Sequence, residues 1–439
     1  MKTKTVILGA GISGLSTAHF LQQKGADFLL LETSNRVGGN IHSEEIDGFV
    51  CENGPNTVLL NNTAIVQLIK EVGLWEEICK PQAAAHNRFV LHKGRLQEIP
   101  ASPLSFLRTP LLSFTDKLRL LKEPFITKHS ENTSIANFAR KRFGTAFYEQ
   151  FVLPFVTGIY AGNPEQMSVQ HALKLLWELE QEHGSVFKGF IKKKQSEEGL
   201  PKIKMFTLPK GLGQLTNVIA KNLGNKLHLN SLVTTVEKAA EGYQIQAGEQ
   251  TILCEEIICT LPAHSTAKLV DDSNLQKQLL GVEYVPVDVL HIGFNKTQVK
   301  NQKPGFGVLS KPSDKKHFLG LLFNSRIFPH TAPEGKELFT VIVGGSRQPE
   351  LCSMEKEVVQ QILLEEMKGV LAIEGSPCFI QYQRYTKAIP QYDMQQAELI
   401  SSILKFNKKQ PYFHLIGNYT GGISVSDCVL KAQQLANNL

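Results

Sequence analysis

Three glycines near the amino terminus have the spacing of a phosphate-binding turn. They stand in Gly9-Ala10-Gly11-Ile12-Ser13-Gly14, between an apolar run and a stretch with helical periodicity. Gly9 permits a tight turn, Gly11 leaves a pyrophosphate free to approach the backbone, and Gly14 lets a helix pack closely on a strand. The unpaired N–H groups of a helix that starts here would attract phosphate oxygens. The pattern therefore predicts a turn that binds a dinucleotide.

Two strands and one helix must position this turn. Residues Thr5 to Leu8 predict a short buried strand, a helix follows the turn to about Lys24-Gly25, and residues Asp27 to Leu31 predict a second strand. Glu32 ends the second strand, about 20 residues beyond the glycines. A carboxylate at this place accepts hydrogen bonds from both hydroxyls of a ribose, and it disfavours a 2′-phosphate.

A second glycine pair indicates which dinucleotide is bound. In Arg36-Val37-Gly38-Gly39-Asn40, adjacent glycines let backbone amides approach a ligand, and Arg36 can neutralise phosphate charge. This run resembles the second half of the FAD fingerprint of the flavin amine oxidase superfamily. An NAD enzyme would not need the added segment, so both glycine runs are interpreted as one FAD-binding device.

Further segments, in order along nearly the whole chain, resemble the protoporphyrinogen oxidase family, the oxygen-dependent FAD enzymes of haem synthesis. The specific ones are Gly158-Ile159-Tyr160-Ala161-Gly162, Ile389-Pro390-Gln391-Tyr392 and the Gly-Gly-Ile-x-Val-x-Asp-Cys run at 421–428. In the superfamily, the loop that corresponds to Glu52–Thr57 runs beside the isoalloxazine ring, after a hairpin predicted at Ile41–Glu45 and Phe49–Glu52. A strand predicted over 226–236 would carry a valine against the adenine.

The resemblance implies a set of cofactor and substrate contacts. FAD would be contacted by Gly9, Ala10, Gly11, Ile12, Ser13, Gly14, Glu32, Thr33, Arg36, Gly38, Gly39, Asn40, Gly54, Pro55, Asn56, Thr57, Val233, Asn418, Ile423, Ser424 and Val425. Arg88 would bind a substrate propionate, because guanidinium pairs well with carboxylate. Gly158, Phe306, Leu309 and Ile342 would line an apolar substrate pocket.

The expected fold is α/β: a Rossmann-like FAD-binding domain interrupted by two insertions. The FAD-binding domain would be discontinuous, over 1–84, 205–264 and 386–439, with a helical substrate or membrane-associating domain at 85–204 and a substrate-binding sheet domain at 265–385. One long helix is predicted near Ser353–Leu371.

The implied reaction is the oxidation of protoporphyrinogen IX to protoporphyrin IX. Six electrons would leave in three hydride transfers to flavin N5, with dioxygen or another acceptor reoxidising the flavin. The sequence has no paired carboxylates, no HExxH and no GxSxG elbow, so the catalytic residues are unknown and positioning is expected to do the work.

Three alternatives stay open. The same fold could oxidise coproporphyrinogen III to coproporphyrin III. A flavin amine oxidase or a carotenoid desaturase shares the FAD fingerprint but not the segments at 158–162 and 389–392. A non-catalytic flavoprotein or tetrapyrrole carrier would bind flavin that substrate does not reduce.

Composition sets the remaining bounds. The chain has 439 residues, a net charge of +6 and seven cysteines without a CxxC pair, which argues against a nucleic-acid partner, a disulfide framework and a metal site. No signal peptide is predicted, so a cytoplasmic location is expected.

The apolar segment at 100–114 predicts either peripheral contact with the inner face of the cell membrane or a packed cap over the pocket. Lys192-Lys193-Lys194 predicts a solvated loop, and a homodimer stays a hypothesis.

Overall fold

The computed structural model describes residues 1–193 and 200–439. The strands of this part are β1 (Lys2–Leu8), β2 (Phe28–Leu31), β3 (Ser43–Ile46), β4 (Phe49–Glu52), β5 (Val58–Leu59), β6 (Phe89–His92), β7 (Arg95–Glu98), β8 (Met205–Phe206), β9 (Leu227–His228), β10 (Val233–Lys238), β11 (Tyr243–Ala247), β12 (Gln250–Cys259), β13 (Tyr284–Asn295), β14 (Gly307–Leu309), β15 (Phe318–Leu322), β16 (Lys336–Gly344), β17 (Phe379–Pro390) and β18 (Phe413–Leu415).

The α-helices of the same residues are α1 (Ile12–Gln23), α2 (Thr63–Glu71), α3 (Pro103–Arg108), α4 (Phe114–Leu120), α5 (Ile135–Phe143), α6 (Thr145–Phe147), α7 (Leu153–Tyr160), α8 (Val169–Ala172), α9 (Lys174–His183), α10 (Val186–Lys193), α11 (Gly213–Leu223), α12 (Ala263–Thr266), α13 (Ser273–Leu280), α14 (Asn324–Ile327), α15 (Lys356–Leu371), α16 (Gln396–Lys409) and α17 (Val425–Asn438). No helix among the described residues is long and apolar enough to cross a membrane.

The first sheet joins strands from widely separated parts of the chain. Its order is β10-β11-β12-β1-β2-β9, and β18 pairs with the second half of β12. The pairs β1–β2, β1–β12 and β12–β18 are parallel, with Val6 opposite both Leu29 and Ile257. The four residues of β2 are all buried, as expected for a strand covered on both faces. This sheet confirms the predicted β-α-β unit and the α/β class.

Helices cover both faces of the first sheet. Leu15 of α1, Leu215 of α11 and Val429 of α17 share one apolar core with β1 and β2. Leu279 of α13 and Leu399 of α16 belong to the core on the other side. This layering keeps the N-termini of α1 and α17 on one side of the sheet, near the carboxyl ends of its parallel strands.

The strand predicted over 226–236 is wrong in one respect. The structure has two strands here, β9 and β10, which pair with different neighbours. Between them Asn230 has φ +53°, a left-handed conformation that asparagine tolerates better than most residues. The alternation of apolar residues therefore continues through a turn that ends one strand and starts the next.

The second sheet has the order β17-β13-β16-β15-β14-β6-β7. Leu363, Met367 and Leu371 of α15 pack on one face, against residues such as Leu290 and Val341. The helix predicted at Ser353–Leu371 is thus found at Lys356–Leu371.

A mostly helical segment occupies residues 103–193. Its centre is Arg142, which is fully buried and contacts two buried carboxylates: Nε donates to Glu180 Oε1 at 2.5 Å and Nη1 to Glu123 Oε1 at 3.2 Å. The lysine run predicted as a loop begins instead inside α10, which includes Lys192 and Lys193, whereas Lys194 lies outside the described residues.

Candidate cofactor and substrate site

The first glycine turn leaves space beside its backbone. A Cβ added to Gly14 would lie 1.9 Å from the carbonyl oxygen of Gly9, so this position requires glycine. A Cβ added to Gly11 would meet nothing within 4 Å. Gly11 also caps α1, and within the described residues no side chain caps that end. The turn thus combines close helix–strand packing with open space at unpaired N–H groups, which fits a pyrophosphate.

Glu32 joins the glycine turn to the loop that follows β2. Its Oε2 accepts a hydrogen bond from the N–H of Ala10 at 2.7 Å. Its Oε1 accepts from the N–H of Ser34 at 2.9 Å and from Ser34 Oγ at 2.6 Å. Val233, at the start of β10, lies near the same loop, because the N–H of Ser231 donates to the carbonyl oxygen of Glu32 at 2.8 Å. Glu32 is partly exposed, so ribose hydroxyls can reach its carboxylate.

The two glycine runs are in direct contact. The N–H of Gly38 donates to the carbonyl oxygen of Ala10 at 2.8 Å, and a Cβ on Gly39 would lie 3.3 Å from Gly11 Cα. Gly38 has φ +97°, and a Cβ there would lie 2.4 Å from the carbonyl oxygen of Ile41. Arg36 is exposed and donates to the carbonyl oxygen of Gly39 at 3.0 Å, while Thr33 is also exposed.

The loop after β4 lies against the second glycine run and reaches the second sheet region. A Cβ on Gly54 would lie 1.9 Å from the carbonyl oxygen of Asn40. Asn56 Nδ2 donates to the carbonyl oxygen of Gly54 at 3.3 Å, and Asn324 Nδ2 donates to Asn56 Oδ1 at 2.9 Å. Pro55 and Thr57 are partly buried beside them.

The predicted carboxyl-terminal cofactor residues sit at the start of α17. Ser424 caps this helix and forms a reciprocal capping box with Asp427, and Val425 is the first helical residue. Ile423 precedes the cap, and Asn418 starts a 3₁₀ turn before two glycines with positive φ. Helices α1 and α17 pack side by side. The structure therefore brings the predicted cofactor residues from three parts of the chain to one side of the first sheet.

Burial perturbs one carboxylate next to this region. Glu52 is 4% exposed, and burial raises its pKa to about 7. Hydrogen bonds from Ser43 Oγ at 2.5 Å and from the N–H of Leu212 at 2.6 Å act in the opposite direction. Glu52 therefore joins the β3–β4 hairpin to the start of α11.

The predicted substrate residues lie on the second sheet and on α7. A Cβ on Gly158 would lie 2.4 Å from Leu309 Cδ2, so α7 touches β14 at this point. Leu309 pairs with Gly320, and Gly320 pairs with Ile342, which places these three residues on one face. Gly158 and Gly320 have no side chains, so Leu309 and Ile342 form an apolar surface from which no large side chain of these four residues projects far. We call this surface the apolar wall.

Arg88 lies near the wall, one residue before β6. Its guanidinium carbon is 5.2 Å from the ring centroid of Phe306, and desolvation lowers the pKa of Arg88. Strands β6 and β14 pair directly, so Arg88 and Phe306 are neighbours of Leu309. The Arg88 side chain is nevertheless exposed enough to meet a carboxylate from solvent.

A polar cluster between the β3–β4 hairpin and the second sheet is absent from the sequence predictions. Glu44 Oε2 accepts from Asn53 Nδ2 and from Gln381 Nε2, both at 2.6 Å. Gln381 pairs with His291, which lies two residues along β13 from Val289, the partner of Ile342, and so on the same face of the sheet. Asn53 Oδ1, Gln381 Oε1 and His291 Nε2 are buried without a partner among the described residues. No local pattern signals this cluster, because Glu44 and Gln381 are 337 residues apart.

Comparisons with known proteins agree with this architecture. The sequence profile of flavin-containing amine oxidoreductases matches residues 12–439. The mitochondrial protoporphyrinogen oxidase of Nicotiana tabacum is 30% identical and aligns with 96% of this chain and 92% of its own. The coproporphyrinogen III oxidase of Bacillus subtilis (strain 168) is 26% identical and aligns with 98% and 96%. A crystal structure of a protein from Exiguobacterium sp. 255-15 superposes with a TM-score of 0.86 at 22% identity, covering 99% and 98% of the two chains.

Proposed function

The chain belongs to the flavin-containing amine oxidoreductases, as a member of the group of protoporphyrinogen and coproporphyrinogen oxidases, and from that premise we propose that it oxidises protoporphyrinogen IX to protoporphyrin IX. The observation that supports this substrate best is the wall of Leu309 and Ile342, kept low by Gly158 and Gly320. Such a wall suits a large tetrapyrrole that must lie against a cofactor.

Arg88 supplies the polar contact that orients the substrate. A porphyrinogen is apolar except for its propionates and pyrrole N–H groups. The Arg88 guanidinium beside Phe306 can pair with one propionate while the rings contact the apolar wall.

The open backbone of the two glycine runs and the partly exposed Glu32 fit an FAD molecule. The turn at 9–14 and the run at 36–40 would contact the pyrophosphate, and Glu32 the ribose, with Val233 near the adenine. Residues 54–57, Asn418 and Ile423–Val425 would contact the flavin half. When bound, FAD supplies two-electron oxidation, and the chain contributes binding, orientation and exclusion of water. Dioxygen is proposed as the final acceptor.

We keep the predicted division into three parts as a proposal. The first sheet takes its strands from 2–31, 227–259 and 413–415, which supports a discontinuous FAD-binding domain. The second sheet takes strands from 284–390 but also β6 and β7, which the predicted boundaries assign to the helical part. The proposed substrate-binding sheet domain therefore includes residues 89–98.

We also propose peripheral membrane contact through the segment at 103–125, in a cytoplasmic protein. Large apolar side chains are exposed here: Leu104, Leu107, Phe114, Leu118, Leu121 and Phe125. Lys188 Nζ lies 5.9 Å from the Phe125 ring centroid, so cations flank the apolar side chains. Flotation with anionic vesicles should carry the wild-type protein and not a Phe114→Ser/Phe125→Ser variant. Equal flotation of the two would exclude this surface.

The substrate proposal is tested with two porphyrinogens side by side. Purified holoenzyme in air is given protoporphyrinogen IX or coproporphyrinogen III, and porphyrin fluorescence is followed. Faster conversion of protoporphyrinogen IX supports the proposal. Faster conversion of coproporphyrinogen III favours the second candidate, which the full-length match to the Bacillus subtilis enzyme supports. Conversion of neither, with FAD bound, contradicts both.

A further inference from the structure

A lysine of the last helix reaches back to the glycine loop that precedes it. We define this loop, residues 417–422, as the terminal glycine loop; it follows β18 and leads to α17. Lys431 lies on α17, where long side chains lean toward the helix N-terminus. Its Nζ donates to the carbonyl oxygens of Gly417 and Gly421 and lies 3.4 Å from that of Gly422. It also lies 3.3 Å from Thr420 Oγ1.

Two other side chains hold two further carbonyl groups of the terminal glycine loop. The hydroxyl of Tyr392 donates to the carbonyl oxygen of Asn418. Gln396 Nε2 donates to the carbonyl oxygen of Tyr419 at 2.8 Å. Both donors come from the chain around the start of α16, so the terminal glycine loop is fixed by side chains from two elements.

The orientation of the carbonyl groups determines where the N–H groups point. In a trans peptide the C=O and the following N–H point in opposite directions, and the described residues contain no cis peptide. Because Lys431 gathers the carbonyls of Gly417, Gly421 and Gly422, the N–H groups of Asn418, Gly422 and Ile423 point away from it. In the described part of the chain, none of these three N–H groups donates to a protein acceptor.

Lys431 also brings a charge that is not balanced by an ion pair in the described residues. Its ligands are neutral oxygens, and the nearby carboxylate of Asp427 is already hydrogen-bonded to Ser424 in the helix cap. Burial lowers the pKa of Lys431, and Asp427 and Cys428 oppose that effect. A cation in a low-dielectric site with no carboxylate contact acts on neighbouring charge over a longer range than a surface cation.

We propose that Lys431 is a positioning residue for the flavin. It holds the terminal glycine loop so that the N–H groups of Asn418, Gly422 and Ile423 stand ready as donors, and its charge favours the reduced, anionic cofactor over the oxidised one. The proposal rests on FAD binding by the family and not on which porphyrinogen is oxidised.

The test uses Lys431→Met, which keeps the length of the side chain and removes its charge and donors. Lys24→Met is the matched control, because Lys24 Nζ donates to the carbonyl oxygen of Ala436 at 2.5 Å, near the other end of the same helix. FAD-free protein is titrated with FAD, and the reduction potential of the bound flavin is measured. We expect Lys431→Met to bind oxidised FAD about tenfold more weakly. We also expect about a further tenfold weaker binding of reduced FAD, which lowers the two-electron potential by about 30 mV.

Hydrogen exchange of the wild-type protein gives a second, variant-free readout. Amides in a peptide covering residues 416–424 should exchange quickly without FAD and slowly with it. If Lys431→Met does not fold, this measurement still tests the loop. The proposal is overturned if Lys431→Met matches wild type in both affinity and potential, if Lys24→Met shifts the potential equally, or if FAD leaves the exchange of 416–424 unchanged. A wrong choice of porphyrinogen would alter none of these results.

Discussion

The proposed cofactor side and the proposed substrate side of this molecule expose different parts of the polypeptide, backbone on the first and side chains on the second. Around Gly9–Gly14, Gly38 and Gly54 the backbone itself makes the surface, and an added Cβ would lie 1.9–2.4 Å from a carbonyl oxygen at Gly14, Gly38 and Gly54. On the second sheet, side chains make the surface, and the nearest atom to a Cβ on Gly158 is the end of a leucine. A carbonyl in a turn cannot move aside, whereas a leucine can change rotamer. Substitution of the glycines in the turns should therefore weaken FAD binding strongly. Substitution of Gly158 should have a smaller effect, because the neighbouring leucine can move.

The strongest test of this contrast is Gly14→Ala. The added methyl group would lie 1.9 Å from the carbonyl oxygen of Gly9, so the turn must open. Such overpacking costs about 1–3 kcal/mol, and FAD affinity should fall roughly 10- to 100-fold. The matched control is Gly369→Ala in α15, where a Cβ would meet nothing within 4 Å. Titration of FAD-free protein measures both. Equal FAD affinity of Gly14→Ala and wild type would contradict the rigidity of the glycine turn.

The next largest effect is expected from Arg88→Met. Loss of a charge-assisted hydrogen bond to a substrate carboxylate costs about 1.5–3 kcal/mol, so kcat/KM for the porphyrinogen should fall roughly 10- to 100-fold. FAD affinity should not change, because Arg88 directly precedes β6 of the second sheet and lies apart from the glycine turns. Arg95→Met, an exposed arginine of β7, serves as the control for charge. A loss of FAD affinity in Arg88→Met would contradict this assignment of Arg88 to the substrate side.

A smaller effect is expected from Gly158→Ala. Its methyl group would meet Leu309 Cδ2 at 2.4 Å, and Leu309 can move at a cost of about 1 kcal/mol. KM should rise about 2- to 5-fold with FAD affinity unchanged. Steady-state kinetics with each porphyrinogen measures this change. An effect as large as that of Gly14→Ala would show that the substrate wall is as rigid as the cofactor turn.

The last effect concerns the stability of the fold and not ligand binding, and it arises at Glu52, next to the proposed cofactor side. Its folded pKa of about 7 lies above the unfolded value of 4.5, so the folded state holds this proton more tightly. Stability from this group is therefore complete below pH 4.5 and is lost as the pH rises through 7, by up to about 3 kcal/mol. Thermal unfolding of wild type and Glu52→Gln at pH 5 and pH 8 measures it. Relative to wild type, Glu52→Gln should gain about 2–4 °C more at pH 8 than at pH 5. A difference that does not depend on pH would contradict the raised pKa.

The two sides also differ in how far the sequence predicts them. The β1-α1-β2 unit is formed by one continuous stretch of sequence. Its glycine spacing and Glu32 therefore predict the types of its elements, and their boundaries agree with the structure within a few residues. Only the family resemblance predicts Gly158, Leu309 and Ile342 as substrate contacts. Without it, each would be interpreted as an ordinary core residue. Their meeting depends on strand register, which no local pattern encodes.

Three failures have specific physical reasons. The alternating pattern over 226–236 does not reveal the break between β9 and β10, because Asn230 turns the chain inside that stretch. The link from Glu44 to Gln381 spans 337 residues, so only the folded chain reveals it. Lys431 stands in a helix with an ordinary amphipathic pattern, and its function depends on a loop whose carbonyls cannot be oriented from sequence.

Because α1 packs against α17, the first sheet and its helices can be completed only at the end of synthesis. Lys24 and Ala436 are in contact although 412 residues separate them, and β18 completes a sheet that β1 began. At about 5–20 residues per second, a ribosome needs roughly 20–80 s to make the intervening chain. The nascent protein passes this interval without the terminal glycine loop and the α17 helix start. An unfinished chain therefore lacks the part of the proposed flavin site that residues 418–425 supply, and it should not hold FAD firmly before translation has delivered α17.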